Sequence, residues 1–259
     1  MNEKTIGFIG GGRIARVILG GWQQAGKLPA SVVVCDVNEA ALTALKKHHG
    51  SVRTVVNGNK EAASQDIVFI AVHPPAIPAV LGEIKASLKP SALVVSLAPK
   101  FTFARLRELL GGFERIARVI PNAPSLVGAG YNPVAFSAGV SAEERQTLTA
   151  LLAPLGDCPE VAEEKLEGFA LLTGMGPTYL WFQLQTLREL ATEFGLTDAD
   201  VTPALKRMVC GSARTLLESG LSPAEVMDLI PVKPLADQET AISQTYRQRL
   251  PALFAKIKP

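Results

Sequence analysis

Over residues 1–161, short apolar runs alternate with longer amphipathic segments. The runs Thr5 to Ile9, Val32 to Cys35, Val52 to Val55, Ile67 to Val72, Leu93 to Leu97, Ile116 to Val119 and Val134 to Phe136 have the length of strands. Their nearly continuous apolar character predicts burial on both faces of a sheet. Between them, Ile14 to Gln24, Glu39 to His48, Ala76 to Ser87, Thr102 to Leu110 and Ala142 to Leu152 carry helical spacing with polar faces. Strands alternating with helices predict β-α-β units and a mostly parallel, doubly wound sheet.

After Val161 the strand pattern stops and the chain reads as helices. Gly176-Pro177 opens one with proline at the first helical position, and Ser222-Pro223-Ala224-Glu225 is a capping box that opens another. Leu180, Leu184, Leu187, Ala191 and Phe194 form one apolar stripe, and Leu205, Met208, Val209, Ser212 and Leu216 a second. Such stripes fit packing within one domain and contact between subunits equally well. Pro203 leaves the start of the middle helix open between caps at Thr197 and Thr202. The expected architecture is an α/β Rossmann domain over residues 1–161, followed by an all-α domain over residues 162–259.

Composition narrows the class of partner. The 259 residues are 47% apolar, and 26 Lys and Arg against 24 Asp and Glu leave a net charge of only +2 with no basic run. That excludes an electrostatic footprint for nucleic acid or an anionic membrane, and points to small molecules or protein subunits. The most apolar stretch, Ile67 to Leu81, is interrupted by His73, Pro74, Pro75 and Pro78, so no membrane span is expected. Cys35, Cys158 and Cys210 are odd in number and form no metal-binding spacing, which fits a reducing cytoplasm and no metal site.

Gly10-Gly11-Gly12-Arg13-Ile14-Ala15 fits G-x-G-x-x-A between the first strand and the first helix. Gly10 permits the tight turn, Gly12 lets backbone approach a pyrophosphate, and Ala15 permits close helix packing. Asp36, at the end of the second strand, is placed to accept hydrogen bonds from adenosine ribose hydroxyls. Its charge repels a ribose 2′-phosphate, and Val37 and Asn38 offer no cation, so the chemistry leans toward NAD over NADP. Arg13 stands against that lean, since its guanidinium can serve a pyrophosphate or a 2′-phosphate, or simply be exposed. Ala71-Val72-His73-Pro74 and Ser96-Leu97-Ala98-Pro99 follow later strands and should border the nicotinamide half of a dinucleotide. His73 is either a general acid there or a histidine hydrogen-bonded for structural reasons.

Arg118-Val119-Ile120-Pro121-Asn122-Ala123-Pro124-Ser125-Leu126-Val127-Gly128 resembles the R-V-M-P-N-T-P-x-x-V-G signature of pyrroline-5-carboxylate reductases. Leu172-Thr173-Gly174-Met175-Gly176-Pro177-Thr178-Tyr179 is similar to their L-T-G-S-G-P-A-Y, and Leu216 to Gly220 with Pro223-Ala224-Glu225 to their connection between helices. The resemblance covers nearly the whole chain in order. It implies a Rossmann domain that carries NAD(P)H, a C-terminal domain that dimerises through interleaved helices, and reduction of a cyclic imine to proline. It further implies cofactor contacts at Gly10, Gly12, Arg13, Ile14, Ala71, Val72, His73, Pro74 and Asn122. Thr173, Gly174, Met175, Gly176 and Pro177 are implied to lie near the substrate.

The departures from the family gather at the chemistry. Where the family has S-P-G-G-T-T, this chain has Pro231-Val232-Lys233-Pro234-Leu235-Ala236-Asp237, with Asp237 at the threonine position and Leu235 at a glycine. Met175 replaces a serine, Pro99-Lys100 replaces Ala-Gly, and His73 replaces a lysine. Asp237 then either stabilises or protonates an iminium, or caps the last helix; Lys233 either neutralises a substrate carboxylate or is a solvated loop residue. Thr173 and Asp237 are the candidate catalytic residues, and Met175, Gly176, Lys233 and Asp237 the candidate substrate contacts. Hydride addition to C=N asks little of the protein beyond positioning and exclusion of water, so an NAD(P)H-dependent imine reductase is the leading expectation. Two rivals remain: a 3-hydroxyacid dehydrogenase, and a nucleotide-binding module that kept the fold without the chemistry.

Overall fold

The computed structural model describes residues 4–259. Contact density divides the chain into two compact units, one running to Met175 and including Phe254–Pro259, the other Gly176–Leu253.

In the first unit the chain alternates as the apolar pattern predicts. The order is β1 (Ile6–Ile9), α1 (Arg13–Gln24), β2 (Val32–Asp36), α2 (Glu39–His48), β3 (Arg53–Val56), α3 (Asn59–Ala63), β4 (Ile67–Ile70), α4 (Ile77–Ile84), β5 (Leu93–Ser96), α5 (Phe103–Leu109) and β6 (Ile116–Val119). Then come β7 (Gly130–Tyr131), β8 (Val134–Phe136), α6 (Ala142–Leu152), β9 (Gly156–Asp157) and α7 (Leu166–Phe169), which continues into a π-helical turn at Ala170–Gly174. Seven strands form one sheet in the order β3-β2-β1-β4-β5-β6-β8, parallel except for β8, which runs antiparallel to β6. The chain leaves β1 toward β2 and β3 on one side, then returns to build β4, β5 and β6 on the other. That reversal opens a crevice at the carboxyl ends of β1 and β4.

Alternate side chains enter opposite cores, as the two-residue period of a strand requires. Ile6, Phe8 and Phe69 join one apolar cluster with Ile18 and Trp22, whereas Ile9, Val68 and Ile70 join another with Ile77 and Leu81. Phe8 stacks on Phe69 at 4.6 Å between centroids, and Trp22 meets both edge-on. The buried indole N–H of Trp22 is satisfied by the Leu151 carbonyl at 2.8 Å, which ties α1 to α6.

The division between units falls at Met175 and not at Val161, because the start of the helical region is packed on the sheet. Leu166 and Ala170 are buried with Ile120 and Ala135, and Ile257 packs against the same cluster. The second unit holds α8 (Pro177–Glu193), α9 (Asp198–Glu218), α10 (Pro223–Asp228) and α11 (Ala236–Ile257), the last of which ends in the residues counted with the first unit. Thr197 caps α9, its N–H and hydroxyl donating to Asp200, so Pro203 lies inside the helix. The Ser222–Glu225 capping box of α10 is present in both directions.

At the opposite end of the sheet from the crevice, Asp66 accepts the N–H and hydroxyl of Thr5, each at 2.9 Å, and the ammonium of Lys89 at 2.8 Å. Burial by itself raises its pKa, but the Lys89 and Thr5 donors outweigh burial and hold it at about 2, below the usual 3.8. A depressed carboxylate contributes stability that is complete above its unfolded value and lost as pH falls through its folded value. Urea unfolding of the wild type should therefore show a decline between about pH 4 and about pH 2 that becomes shallower in Asp66→Asn. Identical slopes in the two proteins would contradict this reading.

Candidate functional site

Three glycines make the whole connection from Ile9 to Arg13. Gly10 has φ +105°, and a Cβ there would stand 2.6 Å from the Ala71 carbonyl oxygen, so both conformation and space demand glycine. Gly12 is the N-cap of α1 with extended backbone and no capping side chain, and a Cβ built on it meets nothing within 4 Å. The first-turn N–H groups of α1 therefore face open space at the positive end of the helix, a donor set suited to an anionic pyrophosphate. Arg13 is exposed at the first helical position, Ile14 packs partly on the core, and Ala15 is fully buried.

Asp36 closes this loop. Its Oδ2 accepts the Gly11 N–H at 2.7 Å and its Oδ1 accepts the Asn38 N–H at 2.9 Å, which orients the carboxylate at the end of β2 beside the glycines. On the far side of the crevice the Ala71 N–H donates to the Ile9 carbonyl at 2.8 Å. Val72 packs partly on the core, and His73 precedes a 3-10 turn that starts at Pro74. The His73 ring is exposed, with no hydrogen-bond partner among the described residues. Ala98, just past β5, is buried in the same cluster as Val72. Gly10, Gly12, Arg13, Ile14, Asp36, Ala71–Pro74 and Ala98 are thus all carried on carboxyl-end segments of β1, β2, β4 and β5.

Asn122 is tied to neighbouring backbone. Its side chain is buried; Nδ2 donates to the Thr173 carbonyl at 3.2 Å and Oδ1 accepts the Tyr131 N–H at 3.2 Å. The residue four beyond Thr173 is Pro177, which has no N–H to complete the ordinary helical bond, and Asn122 supplies a donor in its place. The Thr173 hydroxyl donates to the Phe169 carbonyl at 3.0 Å, which leaves its oxygen lone pairs as acceptors. Met175 ends the π-helical turn, its N–H donating to the Ala170 carbonyl at 2.9 Å.

Gly176, Lys233 and Asp237 belong to the second unit. Lys233 is an exposed turn residue whose carbonyl accepts the Ala236 N–H at 3.2 Å. Asp237 is not the cap of the last helix, since α11 starts at Ala236 and Asp237 is its second residue, exposed and bonded to Gln238 Nε2 at 2.8 Å. Among the described residues there is no group of His, Cys, Asp and Glu able to hold a metal ion.

One cluster escaped the sequence reading. Arg118, only 1% exposed on β6, donates to Glu163 Oε1 at 2.9 Å and to Glu167 Oε1 at 2.5 Å. A charged residue within Ile116 to Val119, a strand predicted to be buried, requires an acidic partner, and two glutamates four residues apart share one helical face. That combination was the available signal. Lys100, where the related pattern has glycine, adopts φ +77°, and its N–H also donates to Glu167 Oε1, at 2.9 Å.

Residues 5–100 match the family model described as NADP oxidoreductase, coenzyme F420-dependent. A pyrroline-5-carboxylate reductase of Escherichia coli (strain K12) is 31% identical over 229 residues, which cover 88% of this chain and 85% of that protein. The chain belongs to the pyrroline-5-carboxylate reductase family. A solved pyrroline-5-carboxylate reductase from Coxiella burnetii is 31% identical with a TM-score of 0.70, the match covering 99% of this chain and 95% of that one. The Plasmodium falciparum pyrroline carboxylate reductase, solved with NADP bound, shares the fold at 20% identity, with a TM-score of 0.76 and coverage of 99% and 95%.

The oriented Asp36 carboxylate generates a prediction about cofactor choice. Calorimetric titration should find NADH bound at least as tightly as NADPH. Removing the charge in Asp36→Ala should move the ratio toward NADPH by about tenfold, the scale of a phosphate dianion facing a carboxylate a few ångströms away in water. A wild-type preference for NADPH that disappears in Arg13→Ala would show that the guanidinium outweighs the carboxylate.

Proposed function

We propose that this protein is an NAD(P)H-dependent oxidoreductase that reduces the C=N bond of a small cyclic imine. Family membership over most of the chain supports this reading, and the open N-terminus of α1 at Gly12 is the single observation that carries the dinucleotide part of it. Gly10, Gly12, Arg13 and Ile14 would hold the pyrophosphate, Asp36 the adenosine ribose, and Ala71–Pro74 with Ala98 the nicotinamide half. Bound NAD(P)H supplies a hydride to the imine carbon. The protein's share is to orient the imine, exclude water and manage one proton. Thr173 offers hydroxyl lone pairs as acceptors beside the π-helical turn, Met175 and Gly176 follow it, and Asp237 is the candidate proton source or iminium stabiliser, with Lys233 as the candidate partner of an acidic group on the substrate. A 3-hydroxyacid dehydrogenase requires a lysine on the first long helix of the C-terminal domain, and α8 contains none.

The second unit supports a dimer. Among the described residues of α8, α9, α10 and α11, Val201 is the one buried apolar side chain, while Trp181, Phe182, Phe194 and Leu217 are more than half exposed. Leu180, Leu187, Met208 and Leu216 from the two stripes are exposed as well, so packing within one chain does not account for them. Trp181, Leu184, Val201 and Leu205 line an open groove of about 490 Å³ between α8 and α9. Four helices with this exposure cannot hold together as a monomer in water, and a second copy of the chain is the partner that the family resemblance implies. Light scattering should give at least twice the 27.5 kDa of one chain, and dilution should unfold the protein as it dissociates. A stable 27.5 kDa monomer at micromolar concentration would overturn the dimer.

No described helix is long and apolar enough to cross a membrane. All three cysteines are free, and burial pushes the Cys35 and Cys158 thiols up to about 12, so neither is reactive near neutral pH. The free state of the three cysteines is what supports a reducing cytoplasm.

The rewritten segment Pro231 to Asp237 sets the decisive activity test. Leu235 adds a Cβ where the family has glycine, and Asp237 adds negative charge toward a carboxylated substrate. Losing one carboxylate contact and gaining one repulsion should together cost about 3 kcal/mol in the transition state, or roughly a hundredfold in kcat/KM. Steady-state reduction of pyrroline-5-carboxylate should accordingly be about a hundredfold slower in the wild type than in a variant carrying the family loop. Equal rates would make Asp237 a working substitute for threonine. Dinucleotide binding with no reduction of any cyclic imine by either protein would favour the non-catalytic module.

A further inference from the structure

The guanidinium of Arg118 reaches, through two carboxylates, the second half of the loop that follows β5 and the first residue of α5. Glu167 Oε1 accepts Arg118 NH2 at 2.5 Å and the Lys100 N–H at 2.9 Å. Glu163 Oε1 accepts Arg118 NH1 at 2.9 Å and the Phe103 N–H at 2.6 Å. One buried cation thus grips residues 100 and 103 from β6. Glu167 lies in α7, directly before the π-helical turn that carries Thr173. The loop after β5 borders the nicotinamide half of the crevice and the turn borders the substrate half, so both are anchored on the same charge, all within the first unit.

Stability alone does not account for this arrangement. Two glutamates against one arginine leave an excess negative charge next to the core. Arg118 Nε and the Ser96 hydroxyl, at paired positions across β5 and β6, are both buried with no hydrogen-bond partner. Burying charges and leaving donors unpaired is costly, and apolar replacement of such clusters is often neutral or stabilising. The left-handed backbone at Lys100 adds strain that its bond to Glu167 holds in place. Geometry is the property that this cluster supplies and an apolar core would not: a fork of fixed shape sets the distance between two loops.

We propose that Arg118, acting through Glu167 and Glu163, is a positioning residue that sets the nicotinamide-side loop against the substrate-side turn for hydride transfer. This rests on the imine-reductase reading above. The test uses the full-length protein with Glu167→Gln, which keeps an acceptor for the Lys100 N–H but removes the charge, and Arg118→Lys, which keeps the charge but removes the two-handed fork. Calorimetry with NADH should show Kd changed by less than about threefold, because the glycine loop and Asp36 supply most of the grip. The emission of bound NADH should shift in both variants, a readout that needs no turnover. With pyrroline-5-carboxylate, kcat per dinucleotide-binding site should fall by about tenfold or more while KM stays within about threefold, as expected when reacting atoms are misplaced by a fraction of an ångström. Deuterium at nicotinamide C4 should then give a larger isotope effect than in the wild type, because hydride transfer has become slower relative to release. A purely structural role predicts a lower melting temperature with unchanged kcat per site and unchanged emission, and that result would overturn the proposal. If Arg118→Lys does not fold, Glu167→Gln decides by the same readouts. If the wild type reduces no imine, the functional reading fails, while an emission shift in the variants still supports positioning of the nicotinamide and an unchanged emission refutes it.

Discussion

The backbone at Gly10 passes so close to Ala71 that a single methyl group would sit 2.6 Å from the Ala71 carbonyl oxygen. Everything at the crevice follows from this contact. It is possible only because β1 and β4 pair in parallel from Ile6–Ile67 to Ile9–Ile70, which brings their carboxyl ends level. It obliges the chain to turn sharply, so that α1 starts at Arg13 with its first N–H groups facing outward. The Gly11 N–H is turned toward Asp36 by the same turn, and a carboxylate from β2 locks the loop from the other side. A larger residue at Gly10 would separate β1 from β4, and the two sides of the crevice would lose their common frame.

A second constraint lies beyond β5. A parallel sheet with both faces covered leaves no water to solvate a charge, so Arg118 on β6 had to bring its own carboxylates. Those carboxylates come from the residues that lead into the π-helical turn, and they also satisfy two N–H groups of the loop after β5. The cost of a buried cation is thereby turned into a fixed spacing between loops. Asn122 does similar work one strand-end away, completing the carbonyl that Pro177 leaves without its usual donor. Both residues lie in the stretch Arg118 to Gly128 that carries the family pattern; in this chain Arg118 bonds two carboxylates and Asn122 bonds neighbouring backbone.

The helical unit obeys a different rule. Its stripes are periodic and its caps are sound, yet its apolar side chains remain in water in a single chain. Helix formation there is specified locally by Thr197, Ser222 and Pro177, whereas burial of the apolar stripes is not specified locally. The stripe of Leu180, Leu187 and Phe194 was ambiguous in one dimension, and the structure leaves all three side chains exposed.

Local patterns sufficed for the seven strands of the main sheet, for most helices and for the glycine loop, because each depends on residues a few positions apart, but not for the short pair β7 and β9. Continuous apolar runs mean burial on both faces, and G-x-G-x-x-A between a strand and a helix has few other uses. The place of Asp36 at the end of β2 was legible for the same reason. Sequence alone could not place the boundary of the first unit, because residues 162–175 look helical and only their packing on Ile120 and Ala135 assigns them to the sheet. Nor could it show that Asn122 is occupied by Thr173, that Asp237 lies inside α11, or that Lys100 takes a left-handed turn against Glu167. The first and the last of those are settled by groups distant in the chain, where the energy of a largely buried polar contact overrides what the neighbouring residues prefer.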